Sequence, residues 1–359
     1  MNFADYLTHK LPAVEAEIMR GLPSAPAAPA APAAPAAPAT ATSTPSERTR
    51  ADLNTYLYQP LAHFSAGGGK RVRPVLCCLG AEAVGGSAEV ALPVACAIED
   101  FQSAALIHDD IADKSELRRG EKCLYKTLGT GLAINVGDSA LVNVVRRVTV
   151  ADHLSDQLKI RVIDALLAME EHTLEGQALD LGWAQNERWD VTSEQYLFMA
   201  LSKTAYYSAA YPLVLGALIG GADQKTLDAL KDFGLKVGLA FQLQDDLLNL
   251  VGNAEVQGKD FRSDITEGKR TLAVVYALEH LGSAEKAELV SILSAHTSDT
   301  LKLQRAVELM ESANAIKFVR AHALALVDEA KHVLENVILT EDARDTLLSM
   351  ADFFVNRER

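Results

Sequence analysis

The sequence predicts an all-α fold, and three observations carry the prediction. Seven of the 12 prolines (Pro23, Pro26, Pro29, Pro32, Pro35, Pro38 and Pro45) lie in one Ala/Pro tract, only Pro60, Pro74, Pro93 and Pro212 come after it, and none follows Pro212. Proline breaks helix interiors, so its near-absence over such a length fits helices joined by short turns. Ala, Leu, Glu, Lys and Gln fill the intervening stretches, and these are strong helix formers. Alternating β-branched runs, the mark of half-buried strands, are missing.

Taken in chain order, residues 1–20 predict a short amphipathic helix, with Phe3, Tyr6, Leu7 and Leu11 at roughly helical spacing. It reads as an N-terminal extension that folds back on the domain, stays mobile or docks a partner. Residues 21–47, with their APAAPAAPAAPA repeat, predict an extended, semi-rigid linker without a core. From residue 48 to residue 359 the amphipathic helical pattern is continuous, which marks one domain. Thr204 to Ala222 carries no formal charge and approaches the length of a membrane span. Its tyrosines, glycines and Pro212, bounded by Lys203 and Asp223, fit a buried central helix better than lipid exposure. No second stretch competes, so no transmembrane segment is expected.

The balance of charge narrows the function classes. With 34 Lys+Arg against 48 Asp+Glu the net charge is −14, which argues against nucleic acid as a partner, since that demands clustered cations. Cys77, Cys78, Cys96 and Cys123 form no CxxC pair and no Cys/His metal spacing. They read as reduced, buried thiols of a cytoplasmic protein. The N-terminus lacks the apolar run of a signal peptide.

Two acidic clusters carry the chemistry. The first is Ala104-Ala105-Leu106-Ile107-His108-Asp109-Asp110-Ile111-Ala112-Asp113, and the second is Phe241-Gln242-Leu243-Gln244-Asp245-Asp246-Leu247-Leu248-Asn249-Leu250. Carboxylates interrupting apolar segments are costly unless a cation compensates them. Asp109 and Asp113, spaced i, i+4, share one helix face, and like charges there repel. Their pairing points to a bound counter-charge. Mg²⁺ suits hard carboxylate oxygens and keeps sites for water and phosphate oxygens. Two such clusters facing each other across a bundle would clamp a diphosphate through three metal ions.

Cations occur where a diphosphate would want them. Gly67-Gly68-Gly69-Lys70-Arg71-Val72-Arg73-Pro74 combines an adaptable turn with three positive charges. It is not a Walker A loop, because Phe64 replaces the first glycine and no Ser/Thr follows the lysine. Arg118-Arg119-Gly120 follows the first acidic cluster, and Lys203-Thr204, Lys259 and Lys269 are further candidates.

In this order, GGKRVRP, DDIAD with LRRG, EGQALDL, SKTA, FQLQDD and GKDFRSDITEGKRT closely resemble the motifs of the trans-isoprenyl diphosphate synthases. The resemblance implies an isoprenoid-synthase bundle around a deep cavity, usually dimeric. It also implies a condensation of isopentenyl diphosphate with an allylic diphosphate. Lys70, Arg73, Gln102 and Arg119 resemble the residues that hold isopentenyl diphosphate, and helical geometry places Gln102 on the Asp109 face. Arg118, Lys203, Thr204, Gln242, Lys259 and Lys269 match positions serving the allylic diphosphate. Asp109, Asp113 and Asp245 look like the metal ligands, with Asp110 and Asp246 orienting the site. His108 reads as a hydrogen-bonded structural histidine, and Phe241 either packs or steadies passing positive charge.

The second motif departs from the family by ending in Asn249, which keeps an oxygen acceptor but loses a charge. That change favours slightly a non-catalytic subunit of a heteromeric synthase, whereas the intact first motif and the arginine pair favour catalysis. A class I terpene cyclase shares the bundle but needs no isopentenyl site. Small residues at Ala104 and Ala105, with Phe101 one turn deeper as a floor, predict a C20 product, with longer chains second.

Overall fold

A computed structural model of the chain describes residues 1–26, 45–252 and 261–356. Helix α1 (Phe3–Arg20) begins where the Asn2 side chain accepts the Asp5 amide, and it fully buries Phe3, Val14 and Ile18. These groups pack against α4 (Val72–Ala83), α5 (Ala88–Ala112) and the last helix, α17 (Glu341–Asn356). Residues 1–20 therefore share one core with the rest of the bundle. Most of the Ala/Pro tract, residues 27–44, lies outside the described residues.

Helices α2 (Glu47–Leu53) and α3 (Gln59–Ala66) are joined by a π-helical turn, Asn54–Tyr58. After α4 and α5 comes an element that the all-α reading did not include: a hairpin of β1 (Leu117–Arg118) and β2 (Glu121–Lys122). Arg119 and Gly120 both have positive φ, 54° and 85°, as a two-residue hairpin loop matched to strand twist requires. The chain continues through α6 (Leu124–Leu128), α7 (Thr130–Thr149), α8 (Asp156–Gln185) and α9 (Ser193–Ala200). Next come a ten-residue π-helical segment, Leu201–Ala210, α10 (Tyr211–Ile219) and α11 (Gln224–Val251). The short α12 (Ser263–Thr266) leads to α13 (Leu272–His280), α14 (Ser283–Ser294), α15 (Thr300–Ser312) and α16 (Ala315–Glu335).

Helix α11 lies at the centre, packed on α16, on α10 and on the π-helical segment; α8 covers the segment's other side, and α5 runs between α4 and α7. The stretch Thr204–Ala222 is thus not one helix, because the backbone changes from π to α at Tyr211. Among the described residues, the helix long and apolar enough to cross a membrane is instead Ala88–Ala112, with 72% of its apolar window buried in the bundle.

Candidate active site

The two acidic motifs meet at one end of the bundle. Asp113 from the end of α5 and Asp245 from α11 line a single cavity of about 580 Å³, together with Arg118, Lys203, Thr204, Gln242 and Lys269. Asp109 sits at its edge, accepting from Gln177 Nε2 of α8 at 2.7 Å. Lys203 reaches it from the π-helical segment and donates to Asp180 of α8. Helix α8 can approach that segment only because residue 176 is glycine: a Cβ there would stand 2.2 Å from the Lys203 backbone nitrogen. π-Helical insertions recur at functional sites, and this one aims Lys203 and Thr204 into the cavity.

Around the second motif, Gln242 bridges the elements. Its Oε1 accepts from Thr204 Oγ1 at 2.9 Å while its Nε2 donates to Asp246 Oδ1 at 2.8 Å. Tyr196 OH donates to the other Asp246 oxygen at 2.5 Å. Asn249 has structural work of its own. Its Nδ2 donates to Ser263 Oγ at 3.0 Å and its Oδ1 accepts the Asp264 amide at 3.2 Å. The departure from aspartate thereby fastens α12, which carries Asp264, to α11. Lys269 lies beside Asp264 and Glu267, at 3.2 and 2.7 Å.

Electrostatics report a shortage of positive charge. Burial pushes Asp109 and Asp113 above the usual carboxylate range, against the pull of Lys203 on both and of Lys269 on Asp113. Asp246 is raised to about 7, chiefly by burial and then by the Asp264 charge. Burial would pull Lys203 down, but Asp180 and Asp109 more than offset it and hold the ammonium charged. Carboxylates gathered and desolvated in this way lose their penalty when a cation joins them.

The donor set fits Mg²⁺. It is all hard oxygen, and one Asp110 oxygen (Oδ2) is buried with no hydrogen-bond partner. Among the described residues no three ligand side chains already converge on one point.

A second, smaller cavity of about 140 Å³ adjoins the first, and both are lined by Arg119. Lys70, Arg73 and Gln102 form its polar wall, and Phe241, Phe353 and Phe354 its apolar one. Arg73 lies over the Tyr207 ring at 4.2 Å and donates from Nη2 to Ser208 Oγ at 2.7 Å, yet its Nε is buried without a partner, as is Gln102 Oε1. The hairpin explains how adjacent arginines serve two cavities. Arg118 turns back to Asp110, donating from Nε at 2.9 Å and Nη2 at 2.5 Å. Arg119, at the loop, stands beside Gly69 and the Phe64 ring.

Some sequence expectations need correction or placement. Arg71 is not a third free cation of the glycine turn: its side chain is wholly buried in ion pairs with Glu15 and Glu99, and its backbone is left-handed (φ 47°). Lys259 falls outside the described residues. His108 is half-buried against Gly137, within 3.4 Å of the Ile134 carbonyl. Ala104 is fully buried with Leu61, Ile107, Ala133, Val136 and Ala140, between α5 and α7. Phe101 lies on another face, edge-on to Tyr207, and Ala105 is half-buried. Sequence reasoning gave no role to Asp180, Gln177, Tyr196, Asp264 or Arg270. Four of them lie inside the quoted motifs EGQALDL and GKDFRSDITEGKRT, and place in a motif was the available signal; Tyr196 had none.

The helical bundle thus carries a cavity that mixes carboxylates with cations and a smaller one that adjoins it. Comparison with known proteins names the family. The polyprenyl synthetase family profile matches residues 54–310. A short chain isoprenyl diphosphate synthase of Methanothermobacter thermautotrophicus is 41% identical over 299 residues, covering 82% of this chain and 89% of the relative. The structure of geranylgeranyl pyrophosphate synthetase from Pyrococcus horikoshii superposes with a TM-score of 0.84 at 29% identity, covering 99% and 98% of the two chains. A polyprenyl synthase from Caulobacter crescentus, complexed with calcium and isoprenyl diphosphate, gives 0.78 at 26% identity over 99% and 98%. The chain belongs to the polyprenyl synthetase family, and it is a prenyltransferase.

Proposed function

We propose that this enzyme joins isopentenyl diphosphate to an allylic diphosphate in a Mg²⁺-dependent condensation, building a trans-polyprenyl diphosphate of about C20. The observation that carries the reading is the pair of cavities joined at Arg119, a larger one that mixes carboxylates with cations and a smaller one where Lys70, Arg71, Arg73 and Arg119 outnumber the single carboxylate of Glu99. A single-substrate cyclase has no use for the second. The Arg73 Nε, buried and unpartnered, is a donor that a bound diphosphate would satisfy.

In this reading Asp109, Asp113 and Asp245 would hold up to three Mg²⁺, and ions bound there would supply positive charge against the leaving diphosphate. Arg118, Lys203, Thr204, Gln242 and Lys269 bind that diphosphate, with Asp180 orienting Lys203. Lys70, Arg73, Gln102 and Arg119 hold isopentenyl diphosphate so that its double bond faces C1 of the allylic partner. The allylic C1–O bond breaks, the alkene attacks C1, and a proton leaves to the departing diphosphate, so no side-chain base is needed. Phe241, Phe353 and Phe354 exclude water that would quench the cation. The C20 length rests on the small residues Ala104 and Ala105 and on the name of the Pyrococcus structure. Four unpaired, buried cysteines suit a reducing, cytoplasmic setting.

A homodimer completes the proposal. Helices α7 and α8 expose Ile134, Val142, Val150, Ile160, Leu167 and Leu174, and the last three recur every seven residues. A stripe of this kind is what two packed helices share.

The decisive experiment incubates the pure protein with Mg²⁺, labelled isopentenyl diphosphate and C5, C10 or C15 allylic primers, then resolves the dephosphorylated products. Elongated prenyl alcohols ending near C20 are expected, and Asp245→Asn should lower turnover at least ~100-fold by weakening metal capture. Failure to elongate any primer refutes the reading.

A further inference from the structure

The glycine turn that presents Lys70 and Arg73 is held by a residue whose own charge is spent on ion pairs. Arg71 sits between them with φ 47°, and its guanidinium is the joint of three elements. Nη1 donates to Glu99 Oε1 of α5 at 2.6 Å, Nη2 to the Ser65 carbonyl at the end of α3 at 2.6 Å, and Nε to Glu15 Oε1 of α1 at 2.8 Å. Glu99 lines the cationic cavity one turn before Gln102. Helix α1 is itself pinned at both ends. Arg147 donates to the Glu17 and Ile18 carbonyls while pairing with Asp100 of α5, and Phe3 packs on Phe353 and Phe354 at 5.6 and 6.0 Å. The same two phenylalanines form the cavity's apolar wall.

A left-handed non-glycine residue is held only where its surroundings over-determine it. Here the restraint comes from two carboxylates and a carbonyl around a fully desolvated guanidinium, and such a charge left short of a partner is costly enough to rearrange. The turn, Lys70 and Arg73 move with it.

We propose that Glu15, on the N-terminal helix, is a positioning residue for the isopentenyl diphosphate subsite: through Arg71 it fixes the backbone that aims Lys70 and Arg73. This rests on the two-cavity reading above and adds that the segment before the Ala/Pro tract is part of the substrate machinery. The geometry weights Glu15 towards the smaller cavity, because its hydrogen bonds go to Arg71, which lines that cavity alone, and its charge is felt in the larger one at Arg119, which lines both.

The test is steady-state kinetics of the full chain with each substrate varied in turn, for Glu15→Ala and Glu15→Gln, beside thermal melts. Glu15→Ala should raise the KM for isopentenyl diphosphate roughly tenfold, the worth of a lost charge-assisted hydrogen bond, with the allylic KM held within about twofold. Glu15→Gln, which keeps an acceptor for Nε, should restore most of the loss. Equal rises in both KM values alongside a lowered melting temperature would reduce Glu15 to a structural contact and overturn the proposal. So would unchanged kinetics in Glu15→Ala. If that variant does not fold, Glu15→Asp, whose shorter side chain withdraws the acceptor from Arg71 Nε, decides in its place: a rise in the isopentenyl KM without an allylic one sustains the proposal, and its absence sinks it. A wild-type protein that elongates no primer would instead remove the two-cavity reading.

Discussion

Replacing Gly176 by alanine tests whether the close approach of α8 to the π-helical segment sets the position of Lys203. The added Cβ would stand 2.2 Å from the Lys203 nitrogen, 2.6 Å from its Cα and 2.8 Å from its Cβ. Non-bonded heavy atoms prefer about 3.5 Å, so the two backbones must part by about 1 Å. Overpacking of this kind costs roughly 1–3 kcal/mol, and the helix-propensity gain of alanine over glycine returns up to about 1 kcal/mol. The net loss of stability is therefore modest. The loss of function is not, because a displacement of ~1 Å in a group that binds the leaving diphosphate costs on the order of 100-fold in turnover. Gly182 on the same helix has open space around its α-carbon and serves as the control. Condensation kinetics and calorimetry on both variants should give a crippled but folded Gly176→Ala and an active, equally or more stable Gly182→Ala. Like activity in the two would refute the argument.

Three further outcomes are expected. Ala104→Phe should shorten the product towards C15 and, because Ala104 is fully buried against α7, lower stability by roughly 1–3 kcal/mol; an unchanged product distribution removes the tunnel assignment. Glu170 of α8, buried without a partner for one oxygen, has its pKa raised by burial from 4.5 to about 7. The native state therefore binds the extra proton between those values, and stability should fall as pH rises through that window by about 1–2 kcal/mol after allowance for its partial contact with water; denaturant titrations of Glu170→Gln should lose that slope. The wild-type chain should sediment as the proposed dimer and Leu167→Glu combined with Leu174→Glu as a monomer in sedimentation equilibrium, and a monomeric wild type would contradict the shared-stripe proposal.

Much of the site was legible because its chemistry is local. Asp109 and Asp113 announce themselves by helical spacing within an apolar segment, and Asp245 by the same interruption on another helix. Gln102 follows from counting turns. What was not legible depended on backbone direction. Arg71 reads as one more phosphate-binding cation, and only the folded chain reveals that it faces Glu15 and Glu99. Asn249 reads as a weakened ligand, and only the fold shows that it fastens Ser263 and Asp264.

The sequence by itself determined the helical class, the two carboxylate motifs, the cations around them and the chemistry they serve, since propensity, periodicity and charge act within a few residues of one another. Tertiary structure alone decided that an N-terminal helix braces the substrate turn. It also decided that neighbouring arginines part company across a hairpin, and that one glycine admits a lysine to the cavity. Those outcomes depend on which distant backbones touch. Contact between residues 56 positions apart, as for Glu15 and Arg71, is settled by packing the whole bundle and leaves no periodic trace in the chain.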